Sequence, residues 1–423
     1  MTDPSARPID TPPLAFPEFV TLIAALMALG SLGIDSMLPA LPAIGSSLGV
    51  ATENERQLIV TAFLIGMGVG QLLHGPLADR YGRRPVMIGA LAIYFVSNVA
   101  AAAAGSFELM LTMRAIGGIA IAATRVVTIA LVRDCFTGRA MARVMSLAFI
   151  VFMIMPVLAP TFGQTILLFG EWRLIFWMTA FGTLLALGWF AVRMPETLRP
   201  EDRRPLAPAR LARGWVQTLA DRWSLGYTLA SAALLGALYG YVNSVQQIMF
   251  DAFHRPRLLV VVFAITAATM ALTNFMNARL VMRLGTRVIS HTALLTQMAF
   301  SAIHLAVALA GYETLATFIV LQALTMGCFG LATSNFSAMA MENMGHIAGS
   351  ASSVQGFIGV TGGALIGAMI GQAFHGTTVP LYVGFLGAGL VALAVILVTE
   401  RGRLFRPHMG QGSGTGPPLL PPD

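Results

Sequence analysis

One carboxylate stands apart in this chain. Asp35 sits in Gly33-Ile34-Asp35-Ser36-Met37-Leu38-Pro39, and no other Asp or Glu lies well inside any of the long apolar runs. An ionisable group in lipid costs about 2.5–3.5 kcal/mol on insertion scales, so it calls for a reason. Pro39, four residues on, has no N–H to offer the Asp35 carbonyl. An acid beside a broken helix at membrane depth suits reversible protonation, because burial favours its neutral form and a nearby cation its charged form. The plainer alternative is a hydrated acid at the outer mouth that merely ends the helix. Arg114 and Arg125 lie eleven residues apart in another apolar run. That spacing is about three turns, so both project from nearly the same face. Counted from Phe107, Arg114 lies roughly 10 Å deep, which matches the depth expected of Asp35 and makes an Asp35–Arg114 pair geometrically possible. Snorkelling of Arg114 to the outer interface is the alternative. Arg125 has no acidic neighbour and either touches a polar or anionic substrate or snorkels inward.

Little else in the chain does chemistry. There is no phosphate-binding loop, no metal-ligand spacing and no nucleophile–base set, so neither an enzyme nor a cofactor is expected. Cys135 and Cys328 lie far apart in sequence and read as free thiols. His74, His291 and His304 read as satisfied interior histidines. Polar groups within apolar runs, Asn98, Asn243, Gln246, Gln247, Asn274, Gln297, Gln322, Asn335 and Gln355, are mostly packing or helix–helix hydrogen bonds. Among them Asn243, Gln246 and Gln355, with Arg125, are candidates to line a substrate path. Abundant Met and Phe suit an adaptable binding surface.

The elements that must hold these residues are transmembrane helices. The chain has 423 residues, 56% hydrophobic and only 11% charged, where a soluble domain carries roughly 25% charged residues. That length accommodates about twelve spans of roughly 20 residues. They are expected at 18–41, 57–77, 85–104, 107–132, 141–169, 172–193, 223–249, 257–281, 286–310, 314–340, 346–373 and 378–399. A Pro-rich tail, 1–17, precedes them and a Gly/Pro-rich tail, 401–423, follows; both are expected to be disordered. The longest polar interruption, 194–222, splits the spans into six-helix bundles at 18–193 and 223–400. The net charge of +7 comes with arginines and no lysine. Those arginines cluster in alternate connections, which marks orientation rather than nucleic-acid binding and puts both termini in the cytoplasm.

The sharpest signal is the connection Gly75-Pro76-Leu77-Ala78-Asp79-Arg80-Tyr81-Gly82-Arg83-Arg84-Pro85. It resembles the loop between the second and third helices of the major facilitator superfamily. The resemblance implies an all-α integral membrane fold of twelve helices in two six-helix bundles, with Gly75, Asp79, Arg80, Gly82, Arg83 and Arg84 as a gating loop. It also places Asp79 near the N-terminus of the eleventh helix, where a helix dipole favours a carboxylate. Ala278 to Arg287 looks like a worn copy of this loop with no acidic residue. Arg114-Ala115-Ile116-Gly117-Gly118 resembles the family's fourth-helix motif tied to proton handling. Ala159-Pro160-Thr161-Phe162-Gly163, with Pro156 one turn earlier, resembles the antiporter motif, a kink built on Pro156, Pro160 and Gly163. Gly359, Gly363, Gly367 and Gly371 recur every four residues as a groove for close helix contact. Together these features are similar to the twelve-span drug/proton antiporter family, near its bicyclomycin/chloramphenicol-resistance type. The resemblance implies a monomer in the bacterial cytoplasmic membrane, exporting small, partly apolar compounds against inward proton flow. It implies no nucleic-acid partner. Transport of one defined metabolite, such as a sugar or organic acid, is the alternative, and a non-transporting sensor on the same scaffold a second.

Overall fold

A computed structural model describes residues 14–203, 206 and 208–405, apart from some side chains within helices. Described residues in this chain are helical or in short turns, with no strand among them. Twelve long helices follow one another: α1 Phe16–Asp35, α2 Leu58–Tyr81, α3 Arg83–Ala102, α4 Phe107–Cys135, α5 Gly138–Ile166, α6 Arg173–Arg193, α7 Arg222–Gln247, α8 Leu259–Leu284, α9 Thr286–Leu309, α10 Leu315–Ala340, α11 Ala348–Gln372 and α12 Val379–Thr399. Eleven of these are long and apolar enough to cross a bilayer on the described residues alone, and α5, 29 residues long, completes the set.

The exterior of the bundle is oily. Val96, Phe181, Leu185, Val192, Phe275 and Val398 are all exposed, as lipid contact allows and water would not. Polar side chains turn inward instead: Asn98, Arg114, Asn243, Gln297 and Gln322 are buried. Each half packs its own helices first, α2 on α4 and α3 on α6 in one, α7 on α11 and α9 on α10 in the other. The halves meet where α2 lies on α11 and α5 on α8.

Three expectations need correction. The connection at Gly75 to Pro85 is almost all helix: α2 runs to Tyr81, α3 starts at Arg83, and Gly82 alone makes the turn at φ 106°. Gly285 turns α8 into α9 the same way at φ 81°. Both backbones lie in the left-handed region that a Cβ disfavours, so the echo between the halves is a shared turn. The interruption at 194–222 contains the helix Pro208–Ala220, which packs on α7 and the start of α11, with Gly214 against Ser350. The glycine stripe of α11 is not one continuous groove. A π-helical turn at Ile358–Gly362 shifts its register, so Gly363 and Gly367 face Tyr239 while Gly359 meets open space. Of the expected tails, α1 already begins at Phe16, whereas 1–13 and 406–423 lie outside the described residues.

Candidate transport site

The first helix breaks at the acid. Asp35 is the last residue of α1, and a 3-10 turn at Leu38–Ala40 leads into a short helix, Leu41–Ser47. Twelve more residues therefore lie between Asp35 and the far end of this segment. Met37, Leu38, Ala40 and Leu41 are at most 1% exposed, and Asp35 itself is 6% exposed. The acid is thus well inside the bundle, not at a hydrated mouth. Gly163 of α5 backs directly onto the Ser36 carbonyl, so a Cβ there would run into the α1 backbone. Residues of the antiporter-like segment thereby rest on the helix break that carries the acid. Pro160 is buried beside them, while the side chain of Pro156 lies outside the described residues.

Arg114 approaches the same break but does not reach the carboxylate. Its Nη2 donates to the Gly33 carbonyl at 2.6 Å. Its guanidinium lies 4.1 Å from the Phe63 ring centroid and 5.8 Å from that of Phe176. Arg114 is 3% exposed, and its Nε has no hydrogen-bond partner. A desolvated cation over aromatic faces gains about 2 kcal/mol or more, which helps hold it in place without a counter-ion. Among the described residues no ion pair joins Asp35 to Arg114; the two meet only through the backbone of α1. Tyr94, whose buried hydroxyl has no partner, lies close enough to feel the charge of Arg114.

Arg125 is exposed in the described structure. Tyr239 of α7 lies within electrostatic range of both Arg125 and Asp35; its ring packs on Gly363, and its Cβ and backbone on Gly367. This bridge across the seam went unread in the sequence, although Tyr239, Asn243 and Gln247 recur every four residues on one face of α7. Asn243 is fully buried with both amide atoms unpartnered, and Gln246 is buried nearby on the same helix. Gln355 is half-buried and donates to Ser224 at 2.8 Å and to the Ala340 carbonyl at 2.9 Å, so it fastens α11 to α7 and α10.

At the end of the bundle where α1 begins and α12 ends, Arg83 lies between Asp79 at 2.5 Å and Asp134 at 3.0 Å. Among the described residues Asp79 pairs with Arg83, on a helix that packs against the start of α11. Glu196 accepts backbone N–H bonds from Arg83 at 2.9 Å and Arg84 at 3.1 Å, and a Cβ at Gly82 would fall on its carboxylate. Arg84 ties α3 to the end of α6 through the Met194 and Ala191 carbonyls. Arg80 stacks over Tyr81 at 5.5 Å, and Gly75 lies against Val126.

Helix order, paired halves and an acid at a broken first helix describe a secondary transporter. The Major Facilitator Superfamily profile matches residues 21–368, and the chain belongs to that family. It is 31% identical to the multidrug resistance protein MdtL of Klebsiella pneumoniae, covering 92% of this chain and 97% of that protein. It is 29% identical to the bicyclomycin resistance protein homolog of Haemophilus influenzae, covering 90% of this chain and 96% of that one. The crystal structure of the human organic anion transporter MFSD10 (TETRAN) shares the fold, with TM-score 0.65 at 19% identity over 91% of this chain and 100% of that chain. The protein is a multi-pass membrane transporter.

Proposed function

We propose that the protein is a proton-coupled antiporter of the bacterial cytoplasmic membrane that exports small, partly apolar compounds by alternating access. The names of the bacterial relatives support drug efflux, and the basic connections support cytoplasmic termini. The protein works as a monomer, with Asp35 as proton carrier and Arg114 as its responding charge. One observation carries this reading: a buried carboxylate at the break in α1 with no counter-cation among the described residues, beside an arginine held by a carbonyl two residues earlier.

An unpaired buried anion is costly, so this arrangement suits the neutral, protonated acid. When Asp35 gives up its proton, an anion is left near a cation whose Nε is unpartnered. Arg114 then turns from the Gly33 carbonyl to Asp35, and the α1 break shifts against Gly163 of α5. Cargo and proton thereby favour opposite states of one element, with a coupling of about 1–3 kcal/mol typical of such linkage. The test is Asp35→Asn in everted vesicles. Drug uptake driven by a pH gradient is expected to disappear, while binding of the drug to the purified protein persists. Uphill, proton-driven transport by Asp35→Asn would overturn the assignment.

A further inference from the structure

The end of the bundle where α2 begins and α7 and α11 finish is closed by side-chain amides. Asn54 and Gln57, in the turn leading into α2, belong to the first half. Gln247 at the end of α7 and Gln372 at the end of α11 belong to the second. Asn54 Nδ2 donates to the Gln372 carbonyl at 2.9 Å and to the Phe374 carbonyl at 2.8 Å. Gln372 Nε2 returns a bond to the Asn54 carbonyl at 2.7 Å. Gln247 Nε2 donates to Asn54 Oδ1 at 2.8 Å, and Gln57 Nε2 donates to Gln247 Oε1. All five bonds cross between the halves. Gln57 and Gln247 are each 1% exposed, so water cannot replace the bond between them without the halves parting, whereas the bonds of half-buried Asn54 to the exposed Gln372 lie at the solvent edge.

Gly371 makes room for this contact. A Cβ on it would collide with the Gln57 amide and press on Asn243. One turn inside Gln247 on α7, Asn243 has both amide atoms buried and unpartnered, so the polar face of α7 continues inward beneath the contact to Tyr239. On the other side lies a depression of about 330 Å³, lined by Thr52, Glu53, Asn54, Gln247, Asp251 and His375 among others. The amides separate an open vestibule from a buried polar face.

We propose that Asn54, Gln57, Gln247 and Gln372 form the outer gate of the transport cycle, an uncharged lock that must break each time cargo leaves. This rests on the antiport reading above and adds the residues that bar the exit. The resistance to opening comes from the buried Gln57–Gln247 bond, because breaking it leaves polar groups to be rehydrated, while the outer amide bonds fix its register. The amides carry no charge, so the gate itself does not titrate. The ionisable groups at its rim, Glu53, Arg56, Asp251, His254 and His375, are not members of the five bonds.

The test uses the full chain with Cys135 and Cys328 replaced by Ser. In Gln57→Cys/Gln247→Cys, a short bis-methanethiosulfonate linker is expected to reduce drug efflux at least tenfold, with recovery on adding reductant. Undiminished efflux by fully cross-linked protein would overturn the gate. A second arm needs no transport. In intact cells, Gln57→Ala or Gly371→Ala is expected to raise labelling of Asn243→Cys by a membrane-impermeant maleimide severalfold, compared with Asn243→Cys alone. Unchanged labelling in protein that keeps its thermal unfolding midpoint would likewise overturn it. If the parent chain lacking Cys135 and Cys328, with the gate intact, moves no drug while labelling rises as expected, the gate stands and the drug-export reading is what fails.

Discussion

The two halves put three side chains at matching steps and fill them with different chemistry. Arg114 and Gln322 each stand eight residues beyond an N-cap, Ser106 and Thr314. Tyr94 and Gln297 each stand twelve beyond the turn glycines Gly82 and Gly285. Phe176 and Tyr382 each stand four beyond Trp172 and Thr378. In the first half the nest holds a cation, over Phe176 and bonded to the α1 backbone. In the second it holds neutral groups, with the Tyr382 hydroxyl donating to Gln322 Oε1 at 3.2 Å and both amide atoms of Gln297 unpartnered. A neutral amide offers fixed hydrogen bonds, whereas a cation changes its energy when an acid beside it loses a proton. On the antiport reading proposed above, the responding charge is Arg114 of the first half, and these three positions of the second half offer fixed hydrogen bonds in its place.

Exchanging the chemistry between nests tests this most severely. Arg114→Gln gives the first nest the residue of the second. Loss of a buried cation–aromatic and charge-assisted contact worth about 2–3 kcal/mol corresponds to about a hundredfold loss of proton-driven efflux. Gln322→Leu, by contrast, is expected to keep efflux within a few-fold, since Tyr382 loses only one neutral partner. Both variants are compared in everted vesicles under a pH gradient. Equal damage from the two would dissolve the distinction between responding and supporting halves.

A milder comparison concerns close backbone approach. Gly163 presses on the Ser36 carbonyl, and Gly367 on the backbone at Tyr239 and Gly240. Overpacking typically costs about 1–3 kcal/mol, so Gly163→Ala and Gly367→Ala are expected to lower thermal stability in detergent by similar amounts. Only Gly163→Ala moves the break that carries Asp35, and only it is expected to shift the pH midpoint of transport. A matching shift in Gly367→Ala would place the sensitivity in helix packing generally.

What the sequence made legible was what repeats locally. The spans fall within a few residues of the helices, because each is an uninterrupted apolar run ended by charge or glycine. Asp35 stood out as a lone acid, and Pro39 marked the break beside it. The partner of Arg114 was hidden because it is a carbonyl, which no residue type announces. The outer lock was hidden because its members come together from positions 190 and 318 residues apart. Ala278 to Arg287 looked stripped of acids for the same reason: Arg287 takes its carboxylates, Glu342 at 3.3 Å and Glu400 at 2.9 Å, from the ends of α10 and α12.

That last cluster repeats in the second half what Arg83, Asp79 and Asp134 do in the first, and it supplies the smallest expected effect. Glu400 also accepts the Tyr227 hydroxyl at 2.5 Å. Burial alone pushes its carboxyl up, yet the Tyr227 and Arg287 hydrogen bonds and the Arg287 charge outweigh burial and hold it below the usual carboxylate range. A carboxyl depressed on folding adds stability above its unfolded value and loses it as pH falls through the folded one. Glu400→Gln is therefore expected to lower the unfolding midpoint by a few degrees at neutral pH, with the gap to the parent narrowing below about pH 4.5. Transport is expected to persist in the variant, because the cluster fastens helix ends and takes no part in moving the proton. A gap that stayed constant down to acid pH would mean that Glu400 serves by shape and hydrogen bonding, and that the likeness between the two arginine clusters does not extend to their charge.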